Sequence, residues 1–460
     1  MKKISMAAAI HSCLKYKKLN REERERLQQE RLKKMVCFAQ QNSPYYAALY
    51  QNIGEDFSLQ DLPTVSKQEL MANWNDWVTD RNVSLEEVQS FMDNLDHIGR
   101  MWKGKYLIYT TSGSTGNPLV SLCDTTTGNV TGAISLLRAY ARSEDMKAFI
   151  RHGGKSAGIY ADSGFYLGNS SIRSKLLKMP WKKRQIGIVS ALAPTEQIVE
   201  QLNRYQPAML GGYPSNLELL IEEQESGRLQ ISPVIIMTGG EYLSEQLRRQ
   251  LKSAFGCYVQ TSYACTEGGT IACECREQHL HINDDWVMIE PVDKDNRPVE
   301  AGVQSDKLLL TNLFNFSQPF IRYEVTDRII LHNEPCACGN PSPWIEVEGR
   351  NDDVLTFEED GEIVRVPPLA VYATLKEVHC LRRFQLMVHS KNHLELRMDV
   401  KEDISKENAF AQADSALRKL FSQYSISKMD IALDFDSPQR HPDSGKFKHI
   451  INQVETEKLS

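Results

Sequence analysis

The sequence predicts an α/β fold, with a large amino-terminal α/β domain that carries a β-rich subdomain and a small α+β domain after it. Three observations support this prediction. Short apolar runs alternate with amphipathic stretches between residues 106 and 259, strand-like runs dominate from 280 to 348, and a second alternation follows Gly349. The length of 460 residues also exceeds what one core usually holds, so about two to three domains are expected.

The composition is that of an ordinary soluble globular protein, with 41% hydrophobic and 25% charged residues. A formal net charge of −6 and an isoelectric point near 6.1 argue against a protein built to bind nucleic-acid backbone. A secretory signal is not expected, because His11, Ser12 and Lys15 interrupt the short apolar run at the start. No apolar segment has the length needed to span a bilayer, so the expected location is the cytoplasm. The ten cysteines are then expected to be thiols, with any close group a metal candidate.

Residues 19–50 predict a helix, because a charged stretch is followed by apolar residues at helical spacing. Ser43-Pro44 should end this helix, since the residue before proline avoids the helical region. Further on, Ser66 followed by Glu69 has the pattern of a capping box at a helix start. These elements are expected to be scaffold.

The remaining elements follow from runs of apolar residues. The expected strands of the α/β core are Tyr106–Tyr109, Gln185–Val189, Ala208–Leu210, Val234–Met237 and Cys257–Val259, with helices at 195–205, 215–226 and 243–254. The expected strands of the β-rich part are His281–Ile282, Trp286–Ile289, Lys307–Leu310 and Arg328–Leu331. The last domain is expected to hold strands at Phe384–Val388, Leu394–Met398 and Met429–Leu433 and a helix near 405–421. This pattern divides the chain into residues 1–349, with the β-rich part at about 270–349, and residues 350–460.

The segment Tyr109–Pro118 has the composition of a phosphate-binding turn. It reads Tyr-Thr-Thr-Ser-Gly-Ser-Thr-Gly-Asn-Pro and follows a predicted strand. Glycines let the backbone approach a polyanion, and consecutive N–H groups form a nest for phosphate oxygens. No lysine follows the second glycine, so this is not the P-loop pattern. Taken alone, such a loop is more often a flexible surface turn.

Together with five later segments, this loop resembles the adenylate-forming superfamily, which includes acyl-CoA synthetases, luciferases and peptide-synthetase adenylation domains. The segments keep the family's order along most of the chain. They are the loop at 109–118, Gly239–Glu241, Ser262–Glu267, Tyr323–Asp327, Gly349–Asp353 and His441–Lys446. Such an ordered set is far more specific than any one of its members.

Within the superfamily, the sequence is most similar to phenylacetate–CoA ligase-like proteins. The similarity lies in Ser43–Tyr46, Leu62-Pro63 with Lys67, Gly211–Ser215, Cys275 near His281, and Pro319–Tyr323. The sequence departs from that branch at Ala264, where the family has glycine, across 150–183, and after Asp353, where the usual glycine-centred loop is replaced. These departures leave open which acid is used and which thiol accepts the acyl group.

The resemblance implies an ATP site. Residues Ser112 to Gly116 would hold the β- and γ-phosphates, the adenine would lie against Gly240-Glu241 and Tyr263, and Asp327 would accept hydrogen bonds from the ribose. The full set of implied nucleotide-binding residues is Thr111, Ser112, Gly113, Ser114, Thr115, Gly116, Gly240, Glu241, Tyr263, Asp327 and Arg350. Taken singly, Asp327 could equally be an ordinary turn residue.

The resemblance implies three catalytic residues. Joining a carboxylate to the α-phosphate of ATP brings two anions together, so cations and N–H groups must offset their repulsion. Thr266 would contact the α-phosphate, and the Glu267 carboxylate would hold Mg²⁺. Lys446, on a Gly-Lys loop, would bring a point charge to the reacting oxygens. Asp352 is implied as the hinge about which a mobile carboxyl-terminal domain turns between adenylation and thioester formation.

The cysteines give a separate signal. A Cys-x-Cys turn at Cys336 and Cys338, followed by glycine, can join a distant cysteine and histidine to supply four ligands to one cation. The resemblance favours a structural zinc held by Cys275, His281, Cys336 and Cys338. Cys273 and His279 remain substitutes, and unpaired buried thiols remain the alternative.

The sequence therefore predicts an enzyme that uses ATP and Mg²⁺ to activate a small carboxylic acid and then transfers the acyl group to a thiol, with CoA the expected acceptor. A carrier protein, or an amine or hydroxyl in cell-surface or secondary-metabolite synthesis, is the alternative acceptor. A non-catalytic nucleotide-binding module and an NTPase that releases ADP are further alternatives. Nucleic acid is not an expected partner, and a homodimer stays open. The aromatic residues Trp102, Tyr160, Phe165 and Tyr166 are candidates for an acyl pocket or for core packing.

Overall fold

The computed structural model describes residues 3–111, 118–162, 164–350, 355–359, 361–366, 368–401, 404–440 and 447–453. The chain forms two compact units. One is built mainly from the residues up to Val325 and from Ile329–Val347, and the other mainly from residues after Glu348. No helix in the described ranges combines the length and the apolar character that crossing a membrane requires.

The first unit begins with a group of helices that build its first core. The predicted helix at 19–50 is observed as two helices that meet at Ser43-Pro44, as expected. The predicted capping box is also confirmed, because the Ser66 hydroxyl accepts from the Glu69 N–H and the Glu69 carboxylate accepts from the Ser66 N–H. These helices are α1 (Met6–Tyr16), α2 (Arg21–Asn42), α3 (Pro44–Leu49), α4 (Lys67–Ala72), α5 (Trp74–Trp77) and α6 (Leu85–Met92).

The remainder of the first unit is layered α/β. Its strands are β1 (Leu107–Thr110), β2 (Val120–Cys123), β3 (Ser156–Tyr160), β4 (Ile186–Ser190), β5 (Met209–Gly212), β6 (Ile235–Gly239), β7 (Tyr258–Cys265), β8 (Gly269–Glu274), β9 (Leu280–Ile282), β10 (Val287–Val292), β11 (Lys307–Asn312), β12 (Tyr323–Val325), β13 (Asp327–His332) and β14 (Trp344–Arg350). Its further helices are α7 (Thr125–Arg138), α8 (Ser143–Arg151), α9 (Leu167–Lys178), α10 (Thr195–Tyr205), α11 (Pro214–Glu225) and α12 (Glu245–Phe255).

Among the described residues, nine strands form one large sheet in the order β13–β14–β9–β8–β7–β6–β5–β3–β4. The strands from β4 to β7 are parallel, whereas β8 and β9 continue the sheet in antiparallel pairing. Helices α10 and α12 turn apolar faces, such as Ile198 with Leu202, towards a core shared with these strands. Since parallel strands end at one edge, the turns after β3, β5, β6 and β7 lie at the same end of the sheet.

The smaller sheets complete the architecture. Strands β1 and β2 form a hairpin, and β10, β11 and β12 form a second antiparallel sheet. The predicted mixed α/β class is thus confirmed. The expected β-rich part does not form a sheet of its own. Its strands β10, β11 and β12 form the three-stranded sheet, whereas β8, β9, β13 and β14 belong to the large sheet.

The second unit is a small α+β assembly with its own apolar core. Its strands β17 and β18 pair antiparallel, and β20 and β19 flank them in parallel register. Buried Leu386, Leu396 and Phe421 contribute to this core. The elements are β15 (Leu355–Glu359), β16 (Glu362–Val366), α13 (Pro368–Lys376), β17 (Leu381–Ser390), β18 (His393–Val400), α14 (Lys406–Gln423), β19 (Asp430–Asp434) and β20 (Ile450–Asn452).

Candidate active site and metal centre

The predicted phosphate loop connects the two strands of the β1–β2 hairpin. Both strands are buried throughout, which fixes the two ends of the loop. Thr111 and Leu119 close its base, because the Thr111 N–H donates to the Leu119 carbonyl over 3.2 Å and the Leu119 N–H donates to Thr111 Oγ1 over 2.9 Å. Ser112, Gly113, Ser114, Thr115 and Gly116 lie outside the described residues.

Thr266 and Glu267 occupy the tight turn between β7 and β8. Glu267 is only 8% exposed. Its Oε1 accepts a hydrogen bond from the Tyr323 hydroxyl over 3.0 Å, and its backbone carbonyl accepts from Asn312 Nδ2 over 2.9 Å. The Glu267 side chain is therefore buried and held in place by its neighbours.

A small cavity joins the hairpin to this turn. Its volume is about 20 Å³, enough for about one water molecule. Tyr109 and Cys123 line it from the hairpin, and Thr266 and Glu267 line it from the turn. Burial raises the pKa of the Cys123 thiol to about 12, so this thiol stays neutral at physiological pH. The structure thus brings the strands that flank the predicted phosphate loop together with two of the predicted catalytic residues.

Gly240, Glu241 and Tyr263 also gather at the carboxyl end of the parallel strands. β6 ends at Gly239, which pairs with Ser262 of β7, so Tyr263 follows directly beside the Gly240-Glu241 turn. Gly240 has φ +79°, a conformation that favours glycine. Glu241 Oε2 accepts from the Ser215 N–H over 3.0 Å, which links this turn to the start of α11.

The other predicted residues are spread more widely. Asp327 is the first residue of β13 and is half-buried. Arg350 is the last residue of β14. Asp352 and Lys446 lie outside the described residues.

The start of α11, which contacts Glu241, carries buried polar side chains without hydrogen-bond partners among the described residues. Asn216 is 2% exposed, and neither its Nδ2 nor its Oδ1 has a hydrogen-bond partner in the described part of the chain. The buried Ser215 hydroxyl likewise has none among those residues. Tyr213, which precedes the helix, meets the ring of Tyr160 edge-on with centroids 6.0 Å apart. Since a buried amide without partners costs free energy, Asn216 has the character of a residue whose partner is a ligand or water.

Two of the candidate acyl-pocket residues have a structural role instead. Trp102 and Phe165 are 7% and 3% exposed and belong to the core shared with the amino-terminal helices. Tyr166 sits where α9 begins and bridges to Thr110 of the hairpin. Core packing therefore accounts for Trp102 and Phe165, while Tyr160 remains at the sheet end with Tyr213.

Four metal-ligating side chains converge at the opposite end of β8. The ligand atoms of Cys275, His281, Cys336 and Cys338 all lie within 4.8 Å of one another. Cys275 Sγ is 3.8 Å from Cys336 Sγ, and Cys338 Sγ is 3.3 Å from His281 Nε2. Burial raises the pKa of the Cys275 thiol to about 12, so a bound cation would be needed to hold it as the thiolate. Three sulfurs and one imidazole nitrogen are the donor set of a closed structural zinc site.

The surroundings of the cluster favour ligation. Gly339, at φ +81°, turns the chain so that the Asn340 N–H donates to Cys338 Sγ over 3.3 Å. His281 Nδ1–H donates to the Ser342 carbonyl over 2.7 Å, which leaves Nε2 to face the thiols. The Ser342 hydroxyl donates to Asp284, and Asp284 also accepts from the Tyr16 hydroxyl of α1 over 2.9 Å. A chain of hydrogen bonds thus runs from the first helix to the histidine.

The two substitute ligands lie outside the cluster. Cys273 pairs with His281 across the β8–β9 ladder, and its sulfur accepts from Asn283. His279 Nδ1 is 3.3 Å from Cys336 Sγ, but its ring stacks on Trp344 with centroids 3.8 Å apart. His279 is therefore placed to form a hydrogen bond with the sulfur of Cys336.

Sequence reasoning missed two residues that position the β7–β8 turn. Asn312, at the end of β11, binds the Glu267 carbonyl, and no sequence pattern marks it. Tyr323 was available within the segment Pro319–Tyr323, but its hydroxyl contact with Glu267 depends on how two separate sheets pack.

No protein-family model matches the chain. Over 410 residues the chain is 25% identical to the phenylacetate-coenzyme A ligase of Thermus thermophilus, and the match covers 85% of this chain and 84% of the relative. It is 27% identical over 172 residues to protein CapK of Staphylococcus aureus. That second match spans 36% of this chain and 37% of the relative.

Solved structures share the fold. A 2-hydroxyisobutyryl-CoA ligase bound to 2-HIB-AMP in the postadenylation state has a TM-score of 0.69 at 17% identity, covering 96% of this chain and 92% of that one. The same ligase with 2-HIB-AMP and CoA in the thioesterification state has a TM-score of 0.57 at 17% identity, covering 95% and 91%. The anthranilate CoA ligase AuaEII has a TM-score of 0.51 at 14% identity, covering 74% and 65%.

Proposed function

The chain belongs to the adenylate-forming superfamily, on its phenylacetate–CoA ligase-like branch, and we propose that it acts as an AMP-forming acid–thiol ligase. The acid would displace pyrophosphate from ATP to give an acyl-adenylate, and a thiol would then displace AMP. The observation that carries this proposal is the cavity in which Thr266 and Glu267 meet the hairpin strands that flank the predicted phosphate loop. The location proposed for this activity is the cytoplasm.

The first step requires that negative charge be offset at the phosphates. In the proposal, the backbone N–H groups of the loop from Ser112 to Gly116 hold the β- and γ-phosphates. Thr266 donates to the α-phosphate, and Glu267 holds Mg²⁺, whose hard oxygen preference suits a carboxylate that Tyr323 orients. When bound, Mg²⁺ would supply positive charge to the phosphate oxygens.

The reacting oxygens need a further cation. We assign that role to Lys446, because a lysine on a Gly-Lys loop is a compact point charge on a flexible stem. Asp352 is proposed as the hinge, and Arg350 and Asp327 as further nucleotide contacts. Tyr263 and the Gly240-Glu241 turn are proposed to hold the adenine.

The acid is proposed to bind at the carboxyl end of β3, β5 and β6, where ligands of open α/β sheets collect. Tyr160 and Tyr213 supply an aromatic wall there, and Asn216 supplies a polar contact. An acid that pairs an aromatic ring with a hydrogen-bonding group fits this lining. Asn216→Leu should lower kcat/KM for such an acid by about tenfold or more and leave the KM for ATP unchanged.

The acceptor is proposed to be CoA. A carrier protein is the alternative acceptor. It is considered because the sequence across 150–183 departs from the phenylacetate ligase pattern. A screen for pyrophosphate release across aromatic, fatty and amino acids, with and without CoA, tests both steps. Acyl-CoA formation supports the ligase, whereas acid-dependent pyrophosphate release without acyl-CoA favours a carrier or another nucleophile. ADP as the product, or no acid-dependent release at all, contradicts the proposal.

The cluster of Cys275, His281, Cys336 and Cys338 is proposed to hold one structural zinc ion. Its ligands lie on the β8–β9 turn, on β9 and on one glycine turn, so the ion would lock these segments together. Elemental analysis should find about one zinc per chain, and chelators should lower the unfolding temperature. Metal-free protein with unchanged stability would contradict this assignment.

A further inference from the structure

One short segment carries a concentrated positive charge. Residues 173–184, called the basic segment below, contain six cationic residues and no acidic residue, in a chain whose net charge is −6. The segment lies within the part of the sequence that departs from the phenylacetate ligase pattern. Its cationic residues are Arg173, Lys175, Lys178, Lys182, Lys183 and Arg184.

The structure places these charges on one outer corner of the first unit. The basic segment comprises the end of α9 and the 3-10 turn Pro180–Arg184, which leads into β4 at the edge of the large sheet. Lys175, Lys178, Lys183 and Arg184 are exposed and Lys182 is half-buried. The end of the helix and the turn therefore expose several cations that are close together in the sequence.

Among the residues that the structure describes, no carboxylate pairs with the lysines of this segment. In the described ranges, Lys175, Lys178, Lys182, Lys183 and Arg184 form no ion pair with a carboxylate, whereas cations elsewhere on the surface commonly do. In the described part of the chain, Arg173 donates to neutral oxygens, namely the side-chain oxygen of Asn169 and the Asp162 carbonyl. An anionic surface would complement this unpaired charge.

Two large apolar side chains stand among these cations. Trp181 is 71% exposed and Leu177 is 53% exposed. Lysines beside an edge strand are explained by protection of that edge from pairing with another chain. Such protection gives no reason for an exposed tryptophan and leucine at the same place.

Tryptophan, leucine and several lysines on one outer surface is the combination found where proteins rest on lipid headgroups. We propose that the basic segment binds the anionic surface of a lipid bilayer, with Trp181 and Leu177 entering the headgroup region. A protein partner is the competing occupant, and it is an outcome of the test. The proposal does not depend on the proposed enzymatic function.

The position of α9 gives this contact a consequence. The helix begins beside Thr110, and its first residue, Leu167, lines the cavity that contains Glu267. Its 12 residues span about 18 Å. The cavity therefore lies about one helix length from the far end of α9, where the basic segment would dock.

The test is flotation of the full chain with phosphatidylcholine vesicles that contain or lack phosphatidylglycerol. The wild type should bind only the vesicles that contain phosphatidylglycerol, and a high salt concentration should release it. The double change Lys182→Gln and Lys183→Gln should weaken binding about 25-fold, since each cation near the surface contributes about fivefold. Trp181→Ala should weaken binding while the charge stays the same, and Trp181→Phe should remove a blue-shifted component of the emission that appears with vesicles.

The matched control removes two exposed lysines elsewhere, by Lys17→Gln and Lys18→Gln, and should leave binding within about twofold of the wild type. Circular dichroism and ATP–pyrophosphate exchange on every variant separate lost docking from lost folding or lost catalysis. Absence of wild-type binding to anionic vesicles would overturn the proposal, as would equal losses in both double variants. Binding to an acidic acyl carrier protein without vesicle binding would overturn it in favour of a protein partner.

Discussion

The two ends of strand β8 differ in how their functional groups are assembled. At its start, Glu267 is held by Tyr323 and Asn312, which arrive from distant parts of the chain, and its proposed partners extend to the loop at 112–116 and to Lys446. Just past its end, Cys275 meets three other ligands from the adjoining strand and a single turn. The first site needs side chains from many distant segments, whereas the second site has all four of its proposed metal ligands on the β8–β9 turn, on β9 and on one glycine turn. Changes at the first should alter catalysis at constant stability, and changes at the second should alter stability.

The largest effect is expected at Lys446. Lys446→Ala should reduce ATP–pyrophosphate exchange by about 10²–10³-fold, because one preorganised cation at the reacting oxygens is lost. ATP binding, zinc content and unfolding temperature should stay unchanged. Lys448→Ala, a lysine two residues further along, is the matched control and should retain exchange. Normal exchange in the Lys446 variant would reject its assignment.

The opposite pattern is expected at the cluster. Cys338→Ser should abolish binding of the proposed zinc ion and destabilise the fold by about 4 kcal/mol or more, because loss of a structural ion is among the costliest single changes. The exposed Cys37→Ser serves as control and should change neither metal content nor unfolding temperature. Elemental analysis with thermal unfolding measures both quantities. If the Cys338 variant kept its metal and its stability, the contrast between the two ends of β8 would disappear.

A smaller and more selective effect is expected at Tyr323. Tyr323→Phe removes the hydroxyl that donates to Glu267, so exchange should fall about tenfold and the Mg²⁺ concentration for half-maximal rate should rise. Unfolding temperature should change little, because the ring that packs on Phe320 is retained. A variant with a lower rate but the same Mg²⁺ dependence would show that Tyr323 acts by another route.

The smallest effect concerns Asp80, which anchors the chain just before β1. Burial alone would raise its pKa, but hydrogen bonds from Lys105, Tyr106 and the Asn82 backbone outweigh it and hold the pKa well below its ordinary value. Since the folded-state pKa is depressed, the carboxylate stabilises the fold above the unfolded pKa of about 3.9, and this stabilisation is lost as the pH falls towards the folded-state value. Asp80→Asn should cost about 1–2 kcal/mol at neutral pH and less in acid. Urea unfolding at several pH values measures this, and an equal loss at every pH would contradict it.

Local patterns predicted the elements well, because they depend on neighbours in the sequence. Helices α10, α11 and α12 and strands β4 to β7 lie where apolar periodicity indicated. Strand β3 was missed, since Ser156–Tyr160 contains small residues whose apolar signal is weak. This strand nevertheless pairs with both β4 and β5 in the sheet.

Pairing between distant strands could not be foreseen. The sequence indicates strands after residue 280, but not that β9 and β14 extend the large sheet, because partner choice depends on tertiary packing. The same limit applies to the choice between Cys273 and Cys275, which depends on where β8 ends. Family order predicted a role for Glu267, whereas its contact with Asn312 depends on how the sheets pack.

The route from Tyr16 through Asp284 and Ser342 to His281 has a practical meaning for handling the protein. Anything that disturbs the first helix, such as a fused tag or the removal of its residues, withdraws a donor from a buried acidic group. The His281 imidazole would then lose part of the hydrogen-bond network that orients its Nε2 towards the cysteines. If the proposed zinc ion is bound, its content should differ between preparations that differ only at the amino terminus.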